Sequence, residues 1–165
     1  MKAETFMRVI AILMMLATFT SVALVITFAP QLKVIYNDGL YKMGASNNQN
    51  QTIIESIANV CDLYDLNESK IYCVYDIVYQ TDLYSYELYD GFVYADELVE
   101  RAGDCQSWTI FYMAAYEKLG FETKPITIEG HVYLTVYFEE YYCDVDQLNI
   151  ACYNLNSEVN ETIEI

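Results

Sequence analysis

The strongest constraint on this chain is the stretch Val9–Ala29, 21 residues without a charge, interrupted only by Thr and Ser. A helix crossing about 30 Å of hydrocarbon needs roughly 20 such residues. A helix packed on a globular domain would show a polar face, and none is present here. Lys2, Arg8 and the α-amino group precede the stretch, against Glu4 alone. Basic flanks stay on the cytoplasmic side, so everything beyond Pro30 is expected to be extracytoplasmic. A cleaved signal peptide has the same charged start, but its apolar region runs only about 7–15 residues, and here Pro30 follows the small residue Ala29. Length favours an uncleaved signal anchor in a single-pass membrane protein; cleavage would make the same domain secreted.

With 165 residues in all, the remainder has room for one domain with a real core. Hydrophobic residues make up 55% and charged residues 19%, which excludes the composition of a disordered chain. Past Pro30 the chain keeps 6 of its 8 basic and 23 of its 24 acidic residues, a net charge of −17. Phosphate backbones are repelled by such a surface, so no nucleic-acid partner is expected. Three Asn-x-Ser/Thr sequons, at Asn50, Asn67 and Asn160, would accept glycans in a suitable host.

Periodicity divides the exported part. Residues 37–51 are polar and rich in turn formers and predict a linker. From Thr52 the spacing of Ile53, Ile54, Ile57 and Val60 predicts a helix. A second helix is expected from Glu68 to Gln80, largely buried because Ile71, Tyr72, Val74, Tyr75, Val78 and Tyr79 cover most of its circumference. Ala95–Arg101 reads as a short helix. Cys105–Leu119 reads as a longer one, with Trp108, Tyr112, Ala115 and Leu119 in period and Gly120 as its stop. The period then changes to two. Thr123–Ile128 is a strand whose Pro125 points to an edge or an irregularity, His131–Phe138 is the clearest strand, and Glu139-Glu140 turns it into a partner running from Tyr141 to about Leu148. Helices followed by antiparallel strands make an α+β domain. The expected organisation is a cytoplasmic N-terminus at 1–8, the anchor at 9–29, a linker at 30–51, the domain at 52–152 and an acidic tail at 153–165.

The residues with chemistry in them are few. Cys105 opens a helix after Gly103-Asp104, where the helix dipole favours the nucleophilic thiolate and Asp104 is suited to N-capping. The one histidine of the chain, His131, starts a strand on the face opposite its aliphatic row. An imidazole is what a thiol nucleophile needs to give up and return a proton, and a carboxylate should orient that imidazole. With a two-residue turn at 139–140, Tyr133 faces Asp146, Thr135 faces Asp144 and His131 faces Leu148. Asp146 is then diagonal to His131, about 7–8 Å away at the backbone, whereas Asp144 is about 13 Å away. Asp146 is preferred; a longer turn or a bulge would favour Asp144.

Gly103-Asp104-Cys105 opening an aromatic helix, Leu119-Gly120, His131 on a strand and Val145-Asp146-Gln147 together resemble the transglutaminase-like thiol superfamily. The approach through Val78–Tyr86 and Ala95-Asp96-Glu97-Leu98 is also similar, so the resemblance covers about residues 53–150. It implies a papain-like fold, no cofactor, and a triad of Cys105 as nucleophile, His131 as general base and acid, and Asp146 as its orienter. Val132-Tyr133 departs from the small residue and Trp that many members carry after the histidine. The implied reaction is acyl transfer from a peptide or protein amide through a thioester, ending in hydrolysis or in transfer to an amine. A catalytically silent cell-surface binding module is the alternative use of the same fold. With Cys105 assigned to catalysis, Cys61, Cys73, Cys143 and Cys152 remain for the disulfides of an exported domain. Of their three pairings, Cys61 with Cys73 and Cys143 with Cys152 are the local ones. No metal site is expected: zinc would lack a Cys-x-x-Cys pair and a second histidine, and no loop pattern makes Asp62, Asp65 and Asp144 a calcium site.

Overall fold

The computed structural model describes residues 31, 33, 35–80, 87 and 93–156. The anchor expected at 9–29, the cytoplasmic 1–8 and most of the tail after residue 153 lie outside them. Among the described residues no helix is long and apolar enough to cross a membrane. Residues from 40 onward form one compact unit.

That unit is α+β, with helices first and a four-stranded antiparallel sheet after them. A first helix, α1, reaches residue 48. It is followed by α2 (Thr52–Cys61), α3 (Asn67–Gln80), the single turn α4 (Ala95–Leu98) and α5 (Cys105–Lys118). The strands are β1 (Glu122–Ile128), β2 (His131–Phe138), β3 (Tyr141–Asp146) and β4 (Asn149–Asn154), hydrogen-bonded in that spatial order.

α5 is the centre of the molecule. Ser107 to Tyr116 is buried without a break, so the helix has no solvent face and packs against β1 and β2 as well as α2, α3 and α4. Each large apolar side chain buried there contributes roughly 1.5–3 kcal/mol. The buried phenols also need acceptors. Tyr116 donates to the Ile71 carbonyl at 3.0 Å and Tyr112 to the Gln147 carbonyl at 2.9 Å. Asp104 caps the start of α5 by accepting from the Ser107 N–H at 2.9 Å. Gly120, at φ 89°, ends it in the left-handed conformation that glycine adopts without cost.

Several sequence expectations need correction. The segment predicted as a linker is helical up to residue 48, with Tyr41, Ala45 and Asn48 buried. Those positions are four and three apart, one helical face hidden among turn-forming residues. α3 is buried on one face only, through Ile71, Val74 and Val78, while Tyr79 is 54% exposed. The helix expected over Ala95–Arg101 ends at Leu98. The strand expected to run to Leu148 stops at Asp146; residues 147–148 form a third tight turn, and β4 returns beside β3.

The β2–β3 register is the one anticipated, with Leu134 opposite Val145, Thr135 opposite Asp144 and Phe138 opposite Tyr141. β1 is an edge strand and carries Pro125. One face of the sheet sends Val132, Leu134, Val136, Cys143, Val145 and Cys152 into the core. The other carries His131, Tyr133, Tyr137, Tyr142, Asp144, Asp146 and Tyr153. Both local disulfides are formed, Cys61–Cys73 and Cys143–Cys152.

Candidate active site

Cys105 is the free cysteine, partly exposed at the first position of α5. The loop before it is tightly built. A Cβ on Gly103 would lie 2.1 Å from Leu98 Cδ1 and 3.3 Å from Ser107 Cβ, so only glycine lets the chain pass there. The Glu87 N–H donates to the Gly103 carbonyl at 3.0 Å. Asp104 is 6% exposed, and besides capping the helix it accepts from Ser107 Oγ at 2.9 Å. The thiol therefore sits at the positive end of a 14-residue helix on a backbone held from both sides.

His131 and Asp146 meet. His131 Nε2 lies 2.8 Å from Asp146 Oδ1, with about a third of the imidazole exposed. This is the diagonal pairing expected from the register, and it becomes an ion pair when the imidazole is protonated. Asp144, the alternative, is engaged elsewhere: Thr135 Oγ1 donates to its Oδ1 at 2.6 Å from directly across the ladder. Burial raises the Asp144 carboxyl above its ordinary range, and the Thr135 bond partly offsets this.

What connects the helix start to this pair is one backbone carbonyl. Thr109, one turn beyond Cys105 on the same helical face, donates from Oγ1 to Val132 O at 3.3 Å. Gln147 Nε2 donates to that same oxygen at 3.2 Å. Gln147 is buried and directly follows Asp146, and its own carbonyl accepts from Tyr112 of α5. Val132 O thus ties α5, the start of β2 and the β3–β4 turn together beside His131.

Among the described residues no hydrogen bond joins Cys105 Sγ to His131. Nε2 is engaged by Asp146, which leaves Nδ1 as the nitrogen that can exchange a proton with a thiol. Such bonds between nucleophile and base are often long without substrate and tighten when it binds. Among the described residues no group of three or more His, Cys, Asp or Glu is arranged to hold a metal ion.

Reading the sequence missed Gln147 and Thr109 as parts of this arrangement. Gln147 carried no signal beyond its place in Val145-Asp146-Gln147, and Thr109 looked like an ordinary helix residue. No family model, curated protein or solved structure matches the chain.

Proposed function

We propose that this protein is a membrane-anchored, extracytoplasmic thiol acyl-transfer enzyme of transglutaminase-like, papain-like type. The observation that carries the reading is the His131 Nε2–Asp146 Oδ1 contact of 2.8 Å, tied through Val132 O to the helix whose first residue is the free Cys105. Cys105 gives its proton to His131 and attacks a peptide or protein amide carbonyl. The tetrahedral intermediate expels the amine, which takes the proton back from His131, and a thioester remains. Water or a second amine then releases the acyl group. Asp146 holds the imidazole ring in place and supports its positive charge in both steps. The acidic domain surface keeps polyanions away and leaves neutral or basic peptide segments as the compatible substrates.

Two disulfides fit the extracytoplasmic assignment, because such bonds persist in oxidising compartments. Iodoacetamide labelling of Cys105 across pH 5–9 tests the mechanism. Labelling that stays fast near neutral pH and slows in His131→Ala supports a thiol–imidazole couple. Equal, sluggish labelling in both proteins points instead to the catalytically silent binding module.

A further inference from the structure

The helices pack against the core face of the sheet. Its other face gathers side chains around Asp144 that the acyl-transfer reading does not use, and the strand register fixes them. Thr135 lies directly opposite Asp144 on β2, with Tyr133 and Tyr137 on the two diagonals. Ala151 lies directly opposite on β4, with Tyr153 on a diagonal. Tyr142 stands two residues earlier on β3 itself. Diagonal neighbours are about 7–8 Å apart at the backbone and alternate residues of one strand about 7 Å, so four phenol rings surround one carboxylate. Tyr142 stacks on Tyr153 with centroids 5.1 Å apart, and Tyr137 is tilted against Tyr142 at 6.3 Å. All four tyrosines and Asp144 are half-buried. Ala151 adds only a methyl group beside the acid.

This carboxylate lacks a cation. The ion pairs formed among the described residues are Lys70–Asp62, Arg101–Glu97, Lys118–Glu55 and His131–Asp146. Lys124, on the same face, is exposed on the edge strand β1, two strands away from Asp144. Thr135 donates to Asp144 Oδ1 at 2.6 Å, and among the described residues no donor reaches Oδ2. Burial raises the Asp144 carboxyl, as expected of a charge without an ionic partner. Burial and then the charge of Asp144 raise the phenols of Tyr133 and Tyr142, in keeping with the register.

We propose that this face of the sheet binds the ammonium group of a lysine side chain presented by a peptide, with Asp144 as its counter-charge and Tyr133, Tyr137, Tyr142 and Tyr153 as its aromatic walls. The ammonium donates to Asp144 Oδ2, and the ring faces attract its charge through their quadrupoles. A quaternary ammonium has no N–H for Oδ2. A guanidinium is best matched by two free carboxylate oxygens, and Thr135 already holds one. The net charge of −17 past Pro30 complements a basic segment. The site lies about 13 Å along the sheet from His131 and is independent of the acyl-transfer reading. A neutral ester such as p-nitrophenyl acetate carries no ammonium and does not draw on it.

The test titrates the purified, isotope-labelled full chain in detergent with N-acetyl-lysine methylamide and follows the backbone amide resonances of β3 and β4. Saturable shifts at Tyr142, Asp144 and Tyr153 are expected. N-acetyl-norleucine methylamide, which keeps the alkyl chain without the charge, is expected to give none. Asp144→Asn should weaken lysine binding by about 10-fold or more, and Tyr142→Leu by about 2- to 5-fold. Because Asp144→Asn removes an unpaired charge, lost binding in that variant does not come from a lost fold. Absence of a saturable shift, equal shifts with norleucine, or unchanged affinity in Asp144→Asn overturns the site. Tighter binding of the corresponding arginine or trimethyllysine derivative overturns the choice of lysine.

Discussion

Of the three tight turns of the sheet, the two after β2 and β3 look alike in the backbone and differ in everything attached to it. Each joins neighbouring strands through two residues, and each begins with a non-glycine residue at positive φ, Glu139 at 50° and Gln147 at 32°. Glu139 is exposed, and its side chain accepts from Asn67 on the surface. Gln147 is buried and bonded at both ends, through Nε2 to Val132 O and through its own carbonyl to Tyr112. Strain at the first turn serves only the reversal of the chain. At the second it comes with buried bonds that brace the turn directly after Asp146, whereas the Glu139 bond lies on the surface.

Substitutions can break this contrast. The largest effect is expected at Asp146→Asn, which should lower the Cys105-dependent burst of nitrophenolate from p-nitrophenyl acetate on the order of 10⁴-fold, by analogy with orienting carboxylates. Asp144→Asn should leave that burst unchanged. Equal losses in the two variants would remove the distinction between the acids.

Next comes Gln147→Ala, expected to cost about 1–3 kcal/mol in urea unfolding as a buried bond is lost. Gln147→Gly should recover about 1 kcal/mol of that by relieving the backbone. Both should slow the burst, because the turn beside Asp146 loosens.

Asp144 tests the outer face by pH. Its carboxyl is raised in the folded state by burial, so its contribution to stability is complete below the ordinary value of 3.8 and is lost as pH rises through the raised one. Asp144→Asn should therefore be more stable than the parent at pH 7, with the gain vanishing below about pH 3.8 in parallel urea titrations. A gain that grows on acidification would contradict the burial argument. The smallest effect belongs to Glu139→Gly, a stabilisation of about 0.5–1 kcal/mol with the burst unaltered. A loss of stability there would show that Glu139 is held as specifically as Gln147.

The same contrast explains what could be read from the chain in advance. Alternation in His131–Phe138, together with a two-residue turn, yields the β2–β3 register by arithmetic, and the register selects Asp146 over Asp144. The Cys105 helix announces itself through Asp104 and Gly120. β4 did not, because Asn149–Asn154 alternates poorly and Gln147-Leu148 contains none of the usual turn residues. That turn is imposed from outside by Val132 and Tyr112, which are distant in sequence. α1 was hidden for a related reason: its buried face of Tyr41, Ala45 and Asn48 is interleaved with residues that favour turns.

Cys143 and Cys152 face each other directly across β3 and β4. The loop they close contains Asp144, Asp146 and Gln147. A one-residue slip between these strands would move Asp146 to the opposite side of the sheet, and the covalent link forbids it even in the denatured chain. The alignment of the acid-bearing hairpin is thus a memory that outlasts the fold. A refolding molecule has to re-form a hairpin whose ends the bond already holds together, and reduction would erase that memory before it touched any residue proposed for catalysis.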